Sequence, residues 1–478
     1  MNRTVFFRGI ICAYVLLVYA VYLKGHLLLN APQSVYQYLT EGFLSGHLHL
    51  LVSPPAELLH LQDPYDPAQN AHIPFLWDVS LFKDKYYLYF GPLPVVAFYL
   101  PFKWLTGFYP SDSLVAFFFL SVGFLVSFYL LIKIKKDYFP QLPELQLLFA
   151  GFLLGFADGS LYLLARPLMY EVAVSSAFCL MSFAIFFLYE LLNQRSKIKN
   201  AILFSVCLAL SVAGRPHFVL PCLVLIPLVA VYFIKHNAAW TGFSRGYLIG
   251  ALLIPCLCVG AMLGAYNYLR FGSIVDFGHV WQLNEADLRV FHAKLLEPGK
   301  ILRNALFGFY FYFLQLYDLT AKFPYVMLHY HLGSIPIDKD YLVESIGGVF
   351  TTVPFIFILA AMPKLVYANL KQKSPDTPLY WYLLFVFLIP LILVLFLLSL
   401  PIATQRYEVD FLPWFVMLSI ISFWLLQKES MQSKRFKFVR VLFFTAGVYS
   451  MYLGFAFAIA YVIAIVEHNK TLGLMALS

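Results

Sequence analysis

Charge is scarce in this chain: Asp, Glu, Lys and Arg make up 12% of its 478 residues, while 61% are hydrophobic and 19% aromatic. Soluble domains carry about a quarter charged residues, so there is too little polar surface here to coat a water-soluble globule. The solvent for most of the chain is lipid. Cysteine is scarce too, and Cys12, Cys179, Cys207, Cys222, Cys256 and Cys258 all lie inside apolar runs. That placement excludes a disulfide framework or a zinc cluster and makes them small buried hydrophobes. Repeats with a period of about 20–50 residues and low-complexity linkers are missing. So is a Gly-rich strand-to-helix fingerprint, which leaves a cytoplasmic nucleotide-sugar site without a home. The net charge of +8 is scattered through short loops and forms no basic face, so nucleic acid is excluded as a partner.

What the chain has is apolar runs. On a ruler of about 20 residues per helical span, eleven segments qualify, at about 5–23, 112–132, 145–164, 171–191, 201–215, 218–234, 247–267, 346–366, 379–399, 409–426 and 440–466. The expected fold class is therefore all-α: a single polytopic transmembrane domain over residues 1–478. The first span follows Arg3 and Arg8, is too long for a secretory h-region and is read as retained. Basic residues punctuate the loops at Lys133, Lys135 and Lys136; at Arg195, Lys197 and Lys199; at Lys235 and Arg245; at Lys364, Lys371 and Lys373; and from Lys428 to Arg440. All fall on one side if residues 86–106 do not span. That segment is apolar, but Pro92, Pro94 and Pro101 each remove a backbone donor and Lys103 sits near its end, so a re-entrant or interfacial segment is expected.

With this register, about 18 of the Lys and Arg and about 5 of the acids face inward, and about 15 and about 20 face outward. The amino terminus is expected in the cytoplasm and the carboxyl terminus outside, in a bacterial inner membrane. Two long outer loops remain, 24–111 and 268–345, each longer than a connection requires.

The first loop carries Asp63, Asp66, His47, His49 and Asp78. Asp63-Pro-Tyr-Asp66-Pro reads as turn chemistry, and His47 and His49 lack an assured third metal ligand. Asp78 sits between Trp77 and an aromatic stretch that would shield it from water and strengthen its interactions. Asp158, Arg166 and Glu171 bracket the turn between the third and fourth spans and are expected to form a charge cluster, either pinning a helical hairpin or serving a site. Arg166, Arg215, Arg270 and Arg406 all fall at outer helix ends, with Arg270 able to pair with Asp276. Guanidinium forks match phosphate geometry, so a lipid phosphate or pyrophosphate is the natural guest.

This layout of one span, a long outer loop with interfacial helices and then a helical bundle resembles the GT-C superfamily of polytopic glycosyltransferases, which includes protein O-mannosyltransferases and aminoarabinose transferases. The stretches Asp78 to Pro94, Tyr266 to His279 and Arg406 to Pro413 look like motifs of uncharacterised bacterial membrane proteins grouped with these enzymes. The resemblance implies a sugar donor carried on polyprenyl phosphate, a glycan, lipid or protein acceptor, and acids in the first outer loops acting as base or as partner of a divalent metal. By the same resemblance Glu171 corresponds to the acid of the second outer loop, and Lys83 or Lys85 to a donor-phosphate ligand. The place where these enzymes put an Asp after the first span holds Gln33 and Ser34. By the resemblance Asp78 is the candidate to stand in for that acid, with Asp63 as a further one. Two other readings stay open: a lipid-linked saccharide translocase using the same arginines, and a degenerate relative that only binds lipid-linked sugar.

Overall fold

The computed structural model describes residues 3–23, 34–236, 242–290, 297–328, 341–371, 377–430 and 433–471; Gln33 lies outside them. The long helices are α1 (Arg3–Tyr22), α6 (Asp112–Tyr138), α7 (Glu144–Phe156), α9 (Met169–Leu192), α10 (Lys197–Val212), α11 (Val219–His236), α12 (Gly242–Phe271), α16 (Thr377–Ser399), α18 (Leu412–Ser430) and α19 (Lys434–Thr471). Shorter ones are α2 (Val35–Leu44), α3 (Ala56–Leu59), α4 (Pro67–Asn70), α5 (Leu100–Thr106), α8 (Ser160–Ala165), α13 (Pro298–Phe309), α14 (Val349–Thr352), α15 (Met362–Lys371) and α17 (Gln405–Glu408). Strands occur only as two-residue and three-residue pairs among the described residues: β1 (Ser80–Phe82) with β2 (Lys85–Tyr87), β3 (Asp318–Leu319) with β4 (Val326–Met327), and β5 (Leu342–Val343) with β6 (Ile402–Ala403). The protein is an all-α polytopic membrane protein, with 8 helical segments among the described residues long and apolar enough to cross a bilayer.

Each of the eleven expected spans is largely helical, but four are not uniform crossings; one of them, 346–366, breaks at Val353, between α14 and a 3-10 stretch that runs into α15. The 16 residues of α10 reach about 24 Å, short of a hydrocarbon core of about 30 Å. α18 ends in Lys428 and Glu429, which dilute its apolar run. The third span is broken into α7 and α8 at Asp158-Gly-Ser, where Gly159 adopts φ 87°. A break inside a bundle frees backbone donors, and Asp158 takes up one of them: Oδ1 accepts from the Ser160 amide at 3.0 Å, and Oδ2 from the Ser160 hydroxyl at 2.9 Å. Asp158 is therefore bound to the first residue of α8 and does not join the expected cluster with Arg166 and Glu171.

Ion pairs fix which helix ends lie together. Glu144, opening α7, accepts from Arg8 in α1 at 2.9 Å and from Lys135 at the end of α6 at 2.8 Å. Arg195 holds Asp137 at 2.7 Å and Glu190 at 3.0 Å, and Lys133 holds Glu190 at 2.8 Å. Lys428 reaches the Tyr138 carbonyl at 3.5 Å, Asn369 reaches Glu429 at 3.0 Å, and His236 packs on Trp381 at 5.2 Å. One end of the bundle thus gathers much of the basic punctuation, including Lys133–Lys136, Arg195, Lys235 and Lys428. Since α1 and α7 start at this end and α6 finishes there, the segment joining α1 to α6 leaves and re-enters at the opposite end.

The described part of that joining segment holds no helix long enough to span. Residues 95–106 form a helix of about 18 Å by rise, preceded by Pro92 and Pro94 and closed at Gly107 with φ 77°. Lys103 turns back to the Gly107 carbonyl at 3.0 Å and stacks over Tyr109 at 3.9 Å, so its charge stays at the helix end. Residues 34–111 instead build a second core against the bundle: Tyr36, Leu39, Leu50, Val79, Leu81, Tyr86, Leu88 and Tyr99 pack on Val115, Phe119, Val172 and Leu283. Ser34 opens α2 with a capping box, accepting from the Gln37 amide while the Gln37 side chain receives the Ser34 amide. Gly91 abuts the Ala213 carbonyl, 2.0 Å from where a Cβ would stand, which presses this cap onto the end of α10.

Candidate functional site

The site forms at the end of the bundle opposite the basic pairs, where the 34–111 cap, the segment after α12 and residues 341–348 converge on the starts of α9 and α18. Asp78 lies just before β1, and residues 278–284 run beside that strand: the Asp78 amide donates to the Leu283 carbonyl at 3.0 Å, the Leu283 amide to Val79 at 2.9 Å, and the Ser80 hydroxyl to Gly278 at 2.8 Å. This pairing delivers two amides to one carboxylate oxygen. Gln282 Nε2 donates to Asp78 Oδ1 at 2.7 Å and Asn284 Nδ2 at 2.9 Å, while Oδ2 has no protein hydrogen bond among the described residues.

Asp78 is buried and holds φ 56°, a left-handed conformation that Asp tolerates better than most residues but that still stores strain. Burial pushes its pKa up to about 6; the Gln282 bond and the nearby Arg406 charge oppose the rise, and Glu344 and Glu285 add to it. A carboxyl that titrates near neutrality with one oxygen free is equipped to accept a proton.

Behind it stand two arginines and two carboxylates. Arg406, from α17, donates Nη1 to Glu344 Oε2 at 2.6 Å, and Arg166, just after α8, donates Nη1 to the same oxygen at 3.0 Å. The Thr404 hydroxyl adds a third bond at 2.9 Å. The Arg406 guanidinium lies over Tyr170 at 4.4 Å and near Tyr407 at 5.4 Å, an aromatic seat that fixes its plane. Burial raises the pKa of Glu344, yet Arg406 and Arg166 more than offset this and leave it below the usual carboxylate range. Glu171 is fully buried at the first turn of α9: Oε2 caps the Leu168 amide at 3.1 Å and Oε1 lies 3.6 Å from Arg166. It neutralises Arg166 from below and is closed to an acceptor.

A second charged set adjoins it. Asp410 Oδ2 accepts from Arg215 Nη2 at 2.6 Å and from His217 Nε2 at 3.0 Å. Arg215 stacks over Tyr407 at 4.6 Å, and His217 stacks on Phe396 at 5.0 Å. Arg215 Nε, Asp410 Oδ1, Arg406 Nε and Glu171 Oε1 are buried with no hydrogen-bond partner, a concentration of unmet polar atoms that native interiors rarely leave without purpose.

Of the residues singled out in the sequence, the structure brings Asp78, Glu171, Arg166, Arg215 and Arg406 to this end together. Others have separate duties. Arg270 donates to the Leu88 carbonyl at 2.6 Å and to Asn267 Oδ1 at 2.7 Å and stacks on Tyr266 at 3.8 Å. It ties the cap to α12 and does not pair with Asp276, which instead accepts from the Gly278 amide and Trp281 Nε1. Lys83 and Lys85 are exposed at the β1–β2 hairpin, where Lys83 and Asp84 take the positive φ of 49° and 60° that a two-residue turn requires. Asp63 makes an Asx turn to the Tyr65 amide at 3.1 Å and pairs with Arg289 at 2.5 Å, and Asp66 caps α4. Since the Asp63–Arg289 pair is a third exposed on both sides, Asp63→Ala is expected to lower stability by about 0.2–1 kcal/mol and to leave activity intact; a transfer assay beside a thermal melt checks both.

Glu344, Asp410, Gln282, Asn284 and Thr404 carry much of the geometry and were not candidates on sequence grounds; His217 stands beside Arg215 in the same turn. The only available signal was that several stand within or next to the quoted motifs. His47 and His49 lie with their rings tilted against each other at 4.8 Å, but no group of three or more His, Cys, Asp or Glu that could hold a metal occurs among the described residues. Near Asp78, one carboxylate oxygen is already taken by two amides and Glu171 by Arg166 and its own cap, so these acids do not fit a divalent cation.

No family model matches the chain, and no curated protein matches it. Among solved structures it is similar to an oligosaccharyltransferase of Archaeoglobus fulgidus, crystallised with zinc and sulfate, at 12% identity and a TM-score of 0.38. The alignment covers 94% of this chain and 53% of that one, so this chain spans about half the length of that neighbour. At such a score the likeness places no residue and assigns no reaction.

Proposed function

We propose that this chain is a membrane glycosyltransferase of the GT-C type, moving a sugar from a polyprenyl-phosphate donor to an acceptor hydroxyl at the extracytoplasmic end of the bundle. The observation that carries the reading is Asp78: a desolvated carboxylate held by Gln282 and Asn284 through one oxygen and set within reach of the Arg406 charge. Gathered basic residues at the far end support a cytoplasmic orientation for that end by the positive-inside rule, in a bacterial inner membrane.

In this reading Asp78 Oδ2 takes the acceptor proton as the acceptor oxygen bonds to the anomeric carbon. The bond from that carbon to the phosphate oxygen breaks, its electron pair stays on the phosphate, and configuration inverts. Arg406 and Arg166 stabilise the departing anion where low dielectric strengthens their charge. Arg215, tied to Asp410, supports the Arg406 region through the shared Tyr407 ring. Purified protein in proteoliposomes with radiolabelled polyprenyl-phosphate sugar tests the reading: transfer to an acceptor is expected, whereas flipping alone would make the protein a translocase and retention alone a binding protein.

A further inference from the structure

Glu344 is the odd member of the arginine cluster. Arg406 and Arg166 are fixed from below, the first between aromatic rings and the second against Glu171, and their side chains are 5% and 16% exposed. Glu344 is the most open of the four charges, with 27% of its side chain exposed. It arrives from the second long loop, and its backbone is held to the bundle side by two hydrogen bonds, Leu342 to the Pro401 carbonyl and Glu344 to the Ala403 carbonyl, each 2.9 Å. A single oxygen, Oε2, receives Arg406, Arg166 and Thr404 together. Three donors converging on one oxygen is the arrangement a phosphate oxygen would also satisfy.

Charge balance points the same way. Two guanidiniums against Glu171 and Glu344 sum to zero, and removing Glu344 leaves one buried positive charge unmatched, which a desolvated site does not tolerate. Among the described residues Glu344 is the sole carboxylate within ion-pair distance of Arg406, and Arg406 Nε remains without an acceptor. The guanidinium therefore has a donor that its present partner does not use.

We infer that Glu344 is a self-ligand: its carboxylate occupies the anion site of Arg166, Arg406 and Thr404, and a phosphate or pyrophosphate group displaces it on binding. Exchange moves only the Glu344 side chain out, while the backbone of the second long loop stays held by its two hydrogen bonds to residues 401 and 403. The inference deepens the donor assignment above and rests on it for the lipid carried by the phosphate; the anion exchange itself does not require sugar transfer.

The test uses the full chain in detergent or nanodiscs and titrates inorganic pyrophosphate, and separately vesicles containing polyprenyl phosphate, by calorimetry. Glu344→Gln removes the competing charge and is expected to tighten pyrophosphate binding about tenfold or more, the scale of one charged hydrogen bond. The gain should vanish in Glu344→Gln, Arg406→Gln. Glu344→Asp, which keeps the charge but shortens its reach to the two guanidiniums, keeps the question decidable if the first variant folds poorly: it should bind pyrophosphate more tightly than the parent, and equal or weaker binding overturns the inference. Equal or weaker binding by a folded Glu344→Gln protein overturns it as well. A gain for polyprenyl phosphate as well as pyrophosphate identifies a lipid-borne anion, and a gain for pyrophosphate alone identifies a free one. Exchange without sugar transfer sinks the glycosyltransferase reading and leaves the self-ligand standing; transfer without exchange does the reverse.

Discussion

Replacing Arg215 with methionine is expected to be the most destabilising single change at this end of the bundle. The Arg215 and Asp410 side chains are 5% and 1% exposed and meet at 2.6 Å, so removing the guanidinium strands a carboxylate with His217 as its remaining side-chain hydrogen-bond partner. Breaking a buried pair in this way costs about 3–5 kcal/mol, whereas replacing both members by apolar groups of similar volume is often neutral. Arg215→Met alone should therefore melt far below the parent in detergent, and Arg215→Met, Asp410→Leu should recover most of the loss. The cycle also separates scaffold from site. If the double variant is stable and transfers sugar normally, the pair is structural; loss of transfer in a stable double variant places Arg215 in the anion-binding machinery. A single variant as stable as the parent would show that Asp410 is rescued by His217, and the ion-pair account would fail.

The spans were legible because lipid leaves a simple signature, about 20 apolar residues bounded by charge. Within the proline-rich 86–106 segment the helix is confined to Val95–Thr106, too short to qualify as a span. Asp158 was less legible: an acid in an apolar run reads as a functional charge, yet here it satisfies the donor exposed by the Gly159 break. Turn chemistry was read well at Asp63 and Asp66, whose side chains bond their own following backbone.

Arginines at helix ends were visible one by one, but their partners were not. Glu344 stands 62 residues from Arg406 and 178 from Arg166, and Gln282 stands 204 from Asp78. No periodicity or spacing links such pairs; the topology alone brings two long loops and two helix starts to the same corner. Arg270 shows the opposite error, because its sequence neighbour Asp276 looked like its partner while the fold hands it the Leu88 carbonyl. Lys83 and Lys85 look like phosphate ligands by resemblance; the structure places them, exposed, at the β1–β2 hairpin.

Asp78→Asn is expected to abolish transfer while making the protein more stable, a combination that a merely structural residue would not produce. The amide keeps the shape, Asn tolerates the left-handed φ as well as Asp does, and Gln282 can still donate to the remaining carbonyl oxygen. What is lost is the proton acceptor, and general-base removal lowers rates by about 10²–10⁴-fold. Stability moves the other way. A carboxyl whose pKa stands at about 6 in the folded protein against an ordinary 3.8 prefers its protonated form when folded. Its contribution is favourable at low pH and is lost as pH rises from the unfolded value through the folded one, amounting to about 3 kcal/mol above pH 6. Asparagine cannot ionise and escapes that penalty, so at pH 8 the variant should melt above the parent, and below about pH 4 the two should converge. In the parent, transfer should fall as pH drops through about 6 as Asp78 takes up its proton; the residual activity of Asp78→Asn should lack that limb. Full activity in a folded Asp78→Asn protein would remove Asp78 as the base. A lower melting temperature at pH 8 would instead mean that the Gln282 and Asn284 bonds outweigh desolvation, and Asp78 would then be a structural anchor of the cap.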